Sequence, residues 1–146
     1  MRRLQTRAQF QAVLASMTVA RTAHFALHRR ALNGAQALAS SALFGGAGDV
    51  WIGAITPKRW ARRAVTRNAI RRQVYALAHE FAARLPAAAH LVRLRAGFDR
   101  SRFRSADSPA LRVAVCAELR ALFERAAFEP AHPAAVLMTG ASATTS

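Results

Sequence analysis

Residues 49–81 read DVWIGAITPKRWARRAVTRNAIRRQVYALAHEF, and the pattern of apolar residues changes its period within this stretch. Residues 49–56 are apolar and end at Pro57, which cannot donate a ladder hydrogen bond, so they predict a strand. The basic segment that follows predicts a helix over 61–84, because proline at position 86 stops it. A strand followed directly by a basic helix is the central unit of the predicted fold.

The helix predicted over 61–84 separates apolar from basic side chains. Its apolar stripe follows helical spacing and consists of Ile70, Val74, Leu77 and Phe81. The opposite face and the helix entrance carry Lys58, Arg59, Arg62, Arg63, Arg67, Asn68, Arg71, Arg72, Tyr75 and His79. No acid occurs between Asp49 and Glu80, whereas a solvated surface helix normally mixes both signs. The free N–H groups of a helix N-terminus also favour phosphate, so this segment predicts a rigid anion-binding surface.

The composition agrees with a polyanionic partner. The chain has 146 residues, a formal net charge of +15, an isoelectric point of about 12.0 and 53% hydrophobic residues. It can therefore bury a core, while its charge costs self-repulsion unless an anion is bound. Lys58 is the only lysine, and arginine grips phosphate through a planar fork. Nucleic acid is the favoured partner over an anionic membrane surface, and no apolar run approaches the ~20 residues of a membrane span.

The rest of the chain predicts an α+β fold, with helices packed on a small sheet. Phe25 and Leu27 alternate with Ala26 and His28, which is typical of a half-buried strand. The predicted elements are a helix at 6–16 capped by Thr6, strands at 22–32 and 90–96, loops at 33–48 and 98–108, and a helix at 109–127 capped by Ser108. We expect one domain over residues 1–128 and a disordered tail over 129–146.

No candidate catalytic or metal site emerges from the sequence. His24 and His28 are four residues apart, but on a strand this spacing predicts an ordinary half-exposed pair. The single cysteine, Cys116, excludes an intrachain disulfide and is expected to be a buried thiol on an apolar helix face. The basic N-terminus lacks the apolar stretch of a signal peptide, so we expect a cytoplasmic protein.

The run KRWARRAVTRNAIRR at residues 58–72 resembles the signature of the bacterial ribonuclease P protein subunit in its proteobacterial form. That signature is a basic pair after a strand, followed by a helix with the pattern R-N-R-x-K-R-x-x-R-E. The resemblance covers about residues 4–127 and includes Phe10-x-x-Val13, the strand FALH and Ile52-Gly53. The chain departs from the pattern at Ala69, at Tyr75-Ala76, and at Leu14 and His28, where the family usually has aromatic residues.

The resemblance implies a fold similar to the second domain of one ribosomal protein, with a four-stranded sheet, three helices and a left-handed βαβ crossover. The fourth strand is expected within 17–24 or in the loop at 33–48. The family protein is a monomer in a one-to-one complex with a catalytic RNA. Together they act as an endoribonuclease that removes the 5′ leader of precursor tRNA. Catalysis then resides in the RNA with Mg²⁺ bound mainly by the RNA, and the protein alone binds no cofactor.

The same resemblance assigns two sets of site residues and no catalytic side chain. Eight residues would bind the catalytic RNA: Lys58, Arg59, Arg62, Arg63, Arg67, Asn68, Arg71 and Arg72. Four would line a cleft for the single-stranded leader: Phe10, Leu14, Ala26 and His28. Strand alternation places Ala26 and His28 on one face, where unpaired nucleotides can stack. A purely structural role for Phe10 remains an equal alternative.

Two other functions remain open from the residues alone. The first is a general RNA-binding or ribosome-associated protein that uses the same basic helix without a role in tRNA processing. The second is a DNA-binding protein with this helix in the major groove. DNA readers of that kind place a turn and a helix before the recognition helix, whereas a strand and Pro57 precede it here.

Overall fold

The structure is a computed structural model, and it describes residues 1–32, 37–45, 48–98 and 109–128. Five strands and four α-helices occur in these ranges. In chain order they are β1 (Arg2–Arg3), α1 (Arg7–Leu14), β2 (Met17–Arg21), β3 (Phe25–Ala31), α2 (Ala37–Phe44), β4 (Trp51–Ile55), α3 (Ala64–Phe81), β5 (Ala88–Leu94) and α4 (Pro109–Phe128). A short 3-10 turn, Ala82–Arg84, follows α3.

The strands form one mixed sheet in the order β1-β4-β5-β3-β2. The first two pairings, β1 with β4 and β4 with β5, are parallel, whereas β5 with β3 and β3 with β2 are antiparallel. Because β4 and β5 are parallel neighbours, α3 serves as the crossover between them. The basic helix is thus held against the sheet at both of its ends.

Each face of the sheet has its own core. On one face the sheet packs against α3 and α4, with a buried set that includes Phe25, Leu27, Ile52, Val92, Leu94, Ile70, Val74, Leu77, Phe81, Leu119, Leu122 and Phe123. On the other face α1 and α2 contribute to a smaller cluster of Leu4, Val13, Leu32, Phe44, Trp51, Ala89 and Leu91, with Phe10 and Leu43 packed on it. The apolar stripe predicted for the basic helix is therefore confirmed as its core-facing side.

Gly53 lets the N-terminal segment lie close on the sheet. A Cβ atom at this position would lie 2.6 Å from Leu4 Cδ1 and 2.9 Å from Phe10 Cε1, well inside normal contact. Only glycine leaves that space empty, so the residue allows Leu4 and Phe10 to pack directly against β4.

The sheet has five strands in the described residues, so the expected count of four was wrong. The missing fourth strand is β2, which lies within the predicted range of 17–24. The additional one is the two-residue β1, where Arg2 N–H donates to Val50 O at 2.8 Å and Leu4 N–H to Ile52 O at 2.9 Å. Such a short edge strand has no periodicity to reveal it, because it exists only through its pairing with β4.

The loop predicted at 33–48 was also partly wrong, because α2 occupies its centre. Glycines on both sides obscured a segment that is rich in alanine, the best helix former. Gly45 ends the helix with φ of 74°, a left-handed conformation, and its N–H donates to Ser41 O at 2.9 Å. The remaining positions of that loop, 33–36 and 46–47, lie outside the described residues.

Other boundaries shift by a few residues. The basic helix begins at Ala64 rather than at 61, because Trp60 and Ala61 N–H groups donate to Pro57 O in a preceding turn. Strand β5 covers 88–94 rather than 90–96. The cap at Ser108, most of the loop at 98–108 and the tail at 129–146 lie outside the described residues. The domain boundary and the left-handed crossover stay predictions.

Candidate nucleic-acid interface

The entrance to α3 presents four exposed cations, Lys58, Arg59, Arg62 and Arg63. Arg63 occupies the N-cap position, and its side chain makes no capping hydrogen bond. A helix start without a side-chain cap leaves backbone N–H groups available to an anion. Arg59 also lies over the ring of the exposed Trp60, with its guanidinium carbon 5.2 Å from the ring centroid. Positive charge, a helix N-terminus without a side-chain cap and an exposed aromatic therefore occur together at this end of the helix.

Arg67 holds this entrance segment in place. Its Nη1 donates to Ala61 O at 3.0 Å and to Arg62 O at 2.7 Å. These bonds hold the backbone at Ala61 and Arg62, which lies between the exposed cations Arg59 and Arg63. Part of the donor capacity of Arg67 is thus used within the protein, which gives it a positioning role that its place in the motif did not reveal.

Asn68, Arg71 and Arg72 lie one turn further along α3. Arg71 donates through Nη1 to Thr56 Oγ1 at 3.1 Å and through Nη2 to Asn68 Oδ1. The guanidinium of Arg71 is therefore oriented before any ligand arrives. Arg72 is exposed, and no hydrogen bond or ion pair of its side chain occurs within the described part of the chain. Arg71 is therefore preorganised, whereas the side chain of Arg72 is free to move towards a ligand.

A groove lies between this part of α3 and the N-terminus of the chain. It is an open depression of about 910 Å³ lined by Met1, Arg3, Asn68, Arg71, Arg72, Tyr75, Ala76 and His79. No acidic side chain lines it. The candidate residues Asn68, Arg71 and Arg72 are brought together here, whereas Arg3 was not among the predicted site residues. Only the pairing of β1 with β4 brings Arg3 to α3, and no local sequence pattern marks that pairing.

The four residues of the candidate leader cleft gather on the α1 side of the sheet, but they differ in exposure. Leu14 is 39% exposed and Phe10 is half-buried. His28 is only 6% exposed and Ala26 is fully buried. In the free protein, α1 therefore presents side chains to solvent, while the strand contributes mainly the floor.

His28 is part of a hydrogen-bonded network at that floor. Arg93 Nε donates to His28 Nε2 at 3.3 Å, and His28 Nδ1 lies 3.2 Å from Thr18 Oγ1 and 3.4 Å from Ser16 O. Because Arg93 can only donate, the Nδ1 atom carries the imidazole proton. Burial lowers the pKa of His28, and the Arg93 charge acts in the same direction. Arg93, half-buried and absent from the predicted set, places a guanidinium beside the cleft.

His24 and His28 belong to separate clusters. His24 Nδ1 lies 2.8 Å from Glu118 Oε1, and its ring stacks on Phe98 with centroids 4.0 Å apart. The Glu118 carboxylate also accepts from Thr22 Oγ1 and from the His24 backbone N–H, both at 2.6 Å. Within the described residues no three potential ligands group around a metal position. None of the described helices is long and apolar enough to cross a bilayer.

Comparison with known proteins identifies a family whose sequence model this chain matches. The chain matches the sequence model of the family described as Ribonuclease P over residues 1–126. It is similar in structure to the RNase P protein of Staphylococcus aureus, with a TM-score of 0.58 and 15% identity over 85% of this chain and 94% of that chain. A mutant of the Staphylococcus aureus protein with defective mRNA degradation activity gives a TM-score of 0.57 and 15% identity over 84% and 85%. No curated protein sequence matches.

Proposed function

The chain belongs to the ribonuclease P protein family, and from this premise we infer that the basic face of α3 binds the catalytic RNA subunit. The chain is thereby a protein subunit of ribonuclease P, the ribonuclease that processes tRNA. One observation carries the assignment of the face. The predicted RNA-binding residues lie at the α3 entrance and on the neighbouring turn of α3, where Arg67 and Arg71 make hydrogen bonds within the protein and no acidic side chain lines the groove.

Each part of this surface has a distinct task in the proposal. The exposed cations Lys58, Arg59, Arg62 and Arg63 attract and bind phosphates at the helix start. Arg67 orients that segment, Asn68 and Arg71 form a preorganised pair, and Arg72 reaches a phosphate directly. Ala69, which stands where the family pattern has an arginine, is 7% exposed and lies on the core-facing side of α3.

The α1 side of the sheet binds the 5′ leader of precursor tRNA in this proposal. Phe10 and Leu14 offer apolar surface to unpaired bases, Ala26 closes the floor, and His28 with Arg93 supplies polar contacts. RNA subunit and leader would then contact different surfaces of one rigid domain.

The chemistry belongs to the RNA in this proposal, and the holoenzyme acts as the endoribonuclease. The α3 surface does not fit Mg²⁺, because hard cations take oxygen ligands and this surface is lined by arginines. We therefore assign Mg²⁺ to the RNA and no catalytic side chain to the protein. A cytoplasmic ribonucleoprotein with one protein per RNA completes the proposal.

Reconstitution tests the function. The full chain is mixed with a bacterial ribonuclease P RNA at low Mg²⁺, and 5′ cleavage of a precursor tRNA is followed. We expect cleavage only when both components are present. Binding of the RNA without stimulated cleavage would instead support a general RNA-binding protein.

Substitution of Arg72 tests the assigned face, with Arg84 as the matched control. Arg84 is also exposed but lies in the 3-10 turn that follows α3, more than two helical turns beyond Arg72. Arg72→Ala is expected to weaken RNA binding and to reduce the slope of log affinity against log salt by about one phosphate contact. Arg84→Ala should leave that slope unchanged. Equal slopes for Arg72→Ala and wild type would remove Arg72 from the interface.

A further inference from the structure

We propose that β1 forms a second wall of the RNA site. Arg3 binds a phosphodiester of the RNA from the side of the groove opposite Arg71 and Arg72. This inference rests on the proposed function of α3 and extends it to a part of the chain outside the basic motif. The ligand is the sugar–phosphate backbone, recognised by its charge.

The backbone on either side of Arg3 is fixed. Its neighbours in sequence donate N–H hydrogen bonds to Val50 O at 2.8 Å and Ile52 O at 2.9 Å, and Leu4 is buried in the core. Arg3 pairs in register with Ile52, whose side chain belongs to the α3 side of the sheet. Strand alternation therefore directs Arg3 towards α3 and Arg2 towards the opposite face.

The side chain of Arg3 is also positioned. Its guanidinium carbon lies 4.0 Å from the centroid of the Tyr75 ring, in a cation–π contact. Tyr75 is half-buried and packs against the core under α3, so it gives the guanidinium a rigid support. A stacked guanidinium keeps its N–H donors at its edge, where they can meet phosphate oxygens.

Charge explains why this arrangement suits an anion. Arg3, Arg71 and Arg72 line one open groove together with His79, and no carboxylate is present in its lining. No ion pair of these three arginines occurs within the described residues. Like charges gathered this way repel each other in the free protein, and a phosphodiester placed between them removes that cost. Arg2, by contrast, already has Asp49 at 3.8 Å and lies over Trp51.

The neighbouring arginine supplies a matched control. Arg3→Ala and Arg2→Ala remove the same charge one residue apart, on opposite sides of β1. Binding of each full-length variant to a bacterial ribonuclease P RNA is measured across a salt series, and thermal unfolding checks the fold. We expect Arg3→Ala to weaken binding about three- to tenfold and to lower the salt slope by about one phosphate contact. Arg2→Ala should keep the slope of the wild-type protein.

A second pair of variants tests the support from Tyr75. Tyr75→Phe keeps the ring and should bind as wild type does, whereas Tyr75→Leu removes it. The loss caused by Arg3→Ala should be smaller in the Tyr75→Leu background, because the guanidinium is no longer held in the groove. An equal loss in both backgrounds would overturn the role given to Tyr75.

These measurements also show whether the RNA subunit or the precursor tRNA supplies the phosphate. They distinguish a failure of this inference from a failure of the proposed function. If Arg3→Ala lowers affinity for the RNA subunit, the phosphate belongs to that RNA. If it lowers only the affinity of the assembled holoenzyme for precursor tRNA, the phosphate belongs to the substrate. Unchanged values in both assays, with Arg72→Ala still defective, would overturn this inference alone. Unchanged values for Arg72→Ala as well would overturn the proposed face of α3.

Discussion

Individual arginines perform different tasks in this chain, although they are the same residue type. Arg72 is exposed and available to a ligand, whereas Arg67 donates to two backbone carbonyls. Arg29 is 2% exposed and donates to His90 Nε2 at 3.1 Å and to Ala126 O at 2.7 Å, which ties the sheet to the end of α4. The net charge of the chain therefore overstates the number of arginines available to RNA.

The buried His90 predicts a loss of stability in mild acid. Burial, followed by the charge of Arg29, lowers the pKa of His90 to about 3 from its ordinary 6.5. Below pH 6.5 the unfolded chain takes up a proton that the folded chain does not, so stability falls as the pH drops towards 3. Between pH 7 and 5 this one group should cost about 2 kcal/mol of unfolding free energy.

Urea unfolding of His90→Gln at both pH values measures that contribution. The glutamine amide retains a donor for Trp51 O, which His90 Nδ1 approaches at 3.2 Å, and an acceptor for Arg29. The variant should lose about 2 kcal/mol less than wild type between pH 7 and 5, whatever its stability at pH 7. Identical losses in the two proteins would show that His90 is not the titrating group.

Among the elements, α1 depends on its first turn. Thr6 Oγ1 accepts from Gln9 N–H at 3.1 Å, and Gln9 Oε1 accepts from Thr6 N–H at 3.1 Å, which completes a capping box. Gln9 Nε2 also donates to Leu43 O at 2.7 Å and so links α1 to α2. The cap therefore supports both helices on the proposed leader side.

Removal of the Thr6 cap should lower the unfolding free energy of the protein. It should not change the amount of RNA subunit that the protein binds at saturation. Thr6→Ala is expected to lower the unfolding free energy by about 1 kcal/mol, because the Gln9 N–H loses its acceptor. Thr6→Ser retains the hydroxyl and serves as the control. Chemical denaturation of the two variants checks the difference, and equal stabilities would contradict a capping role for the hydroxyl.

The elements also differ in how well the sequence predicted them. The helix α3 followed from its apolar stripe, and Thr6 was correctly identified as the cap of α1. The helix α2 was missed because flanking glycines concealed an alanine-rich segment, which is stabilised by packing Phe44 against Trp51 with ring centroids 5.3 Å apart. That contact joins residues from two elements, so it leaves no local periodicity.

At the scale of the whole molecule, the net charge of +15 predicts opposite effects of salt on folding and on binding. Like charges repel in the compact free protein, and salt screens that repulsion. Raising NaCl from about 0.02 to about 0.3 M should increase the unfolding free energy of the free chain by about 1 kcal/mol. Over the same range, affinity for RNA should fall, since each phosphate contact releases counterions.

Thermal unfolding of the free chain and RNA binding, measured in the same buffers, check this pair of effects. The midpoint of unfolding should rise by several degrees while affinity decreases. A midpoint that falls with salt would mean that attractive ion pairs, such as Arg120 with Glu80, outweigh the repulsion. The outcome shows whether repulsion between the excess positive charges destabilises the free protein, and hence whether bound RNA would reduce that repulsion.

The sequence by itself determined the amphipathic basic helix, the strand β3 within the predicted range of 22–32 and the excess positive charge that favours a polyanionic partner. These features are local, because helix and strand periods repeat every few residues. Tertiary structure alone decided that β1 pairs with β4, that Arg3 meets Tyr75, and that Arg67 and Arg29 bond within the protein. Hydrogen bonds and stacking contacts depend on which distant groups the chain path brings together, and short-range sequence patterns carry no record of that path.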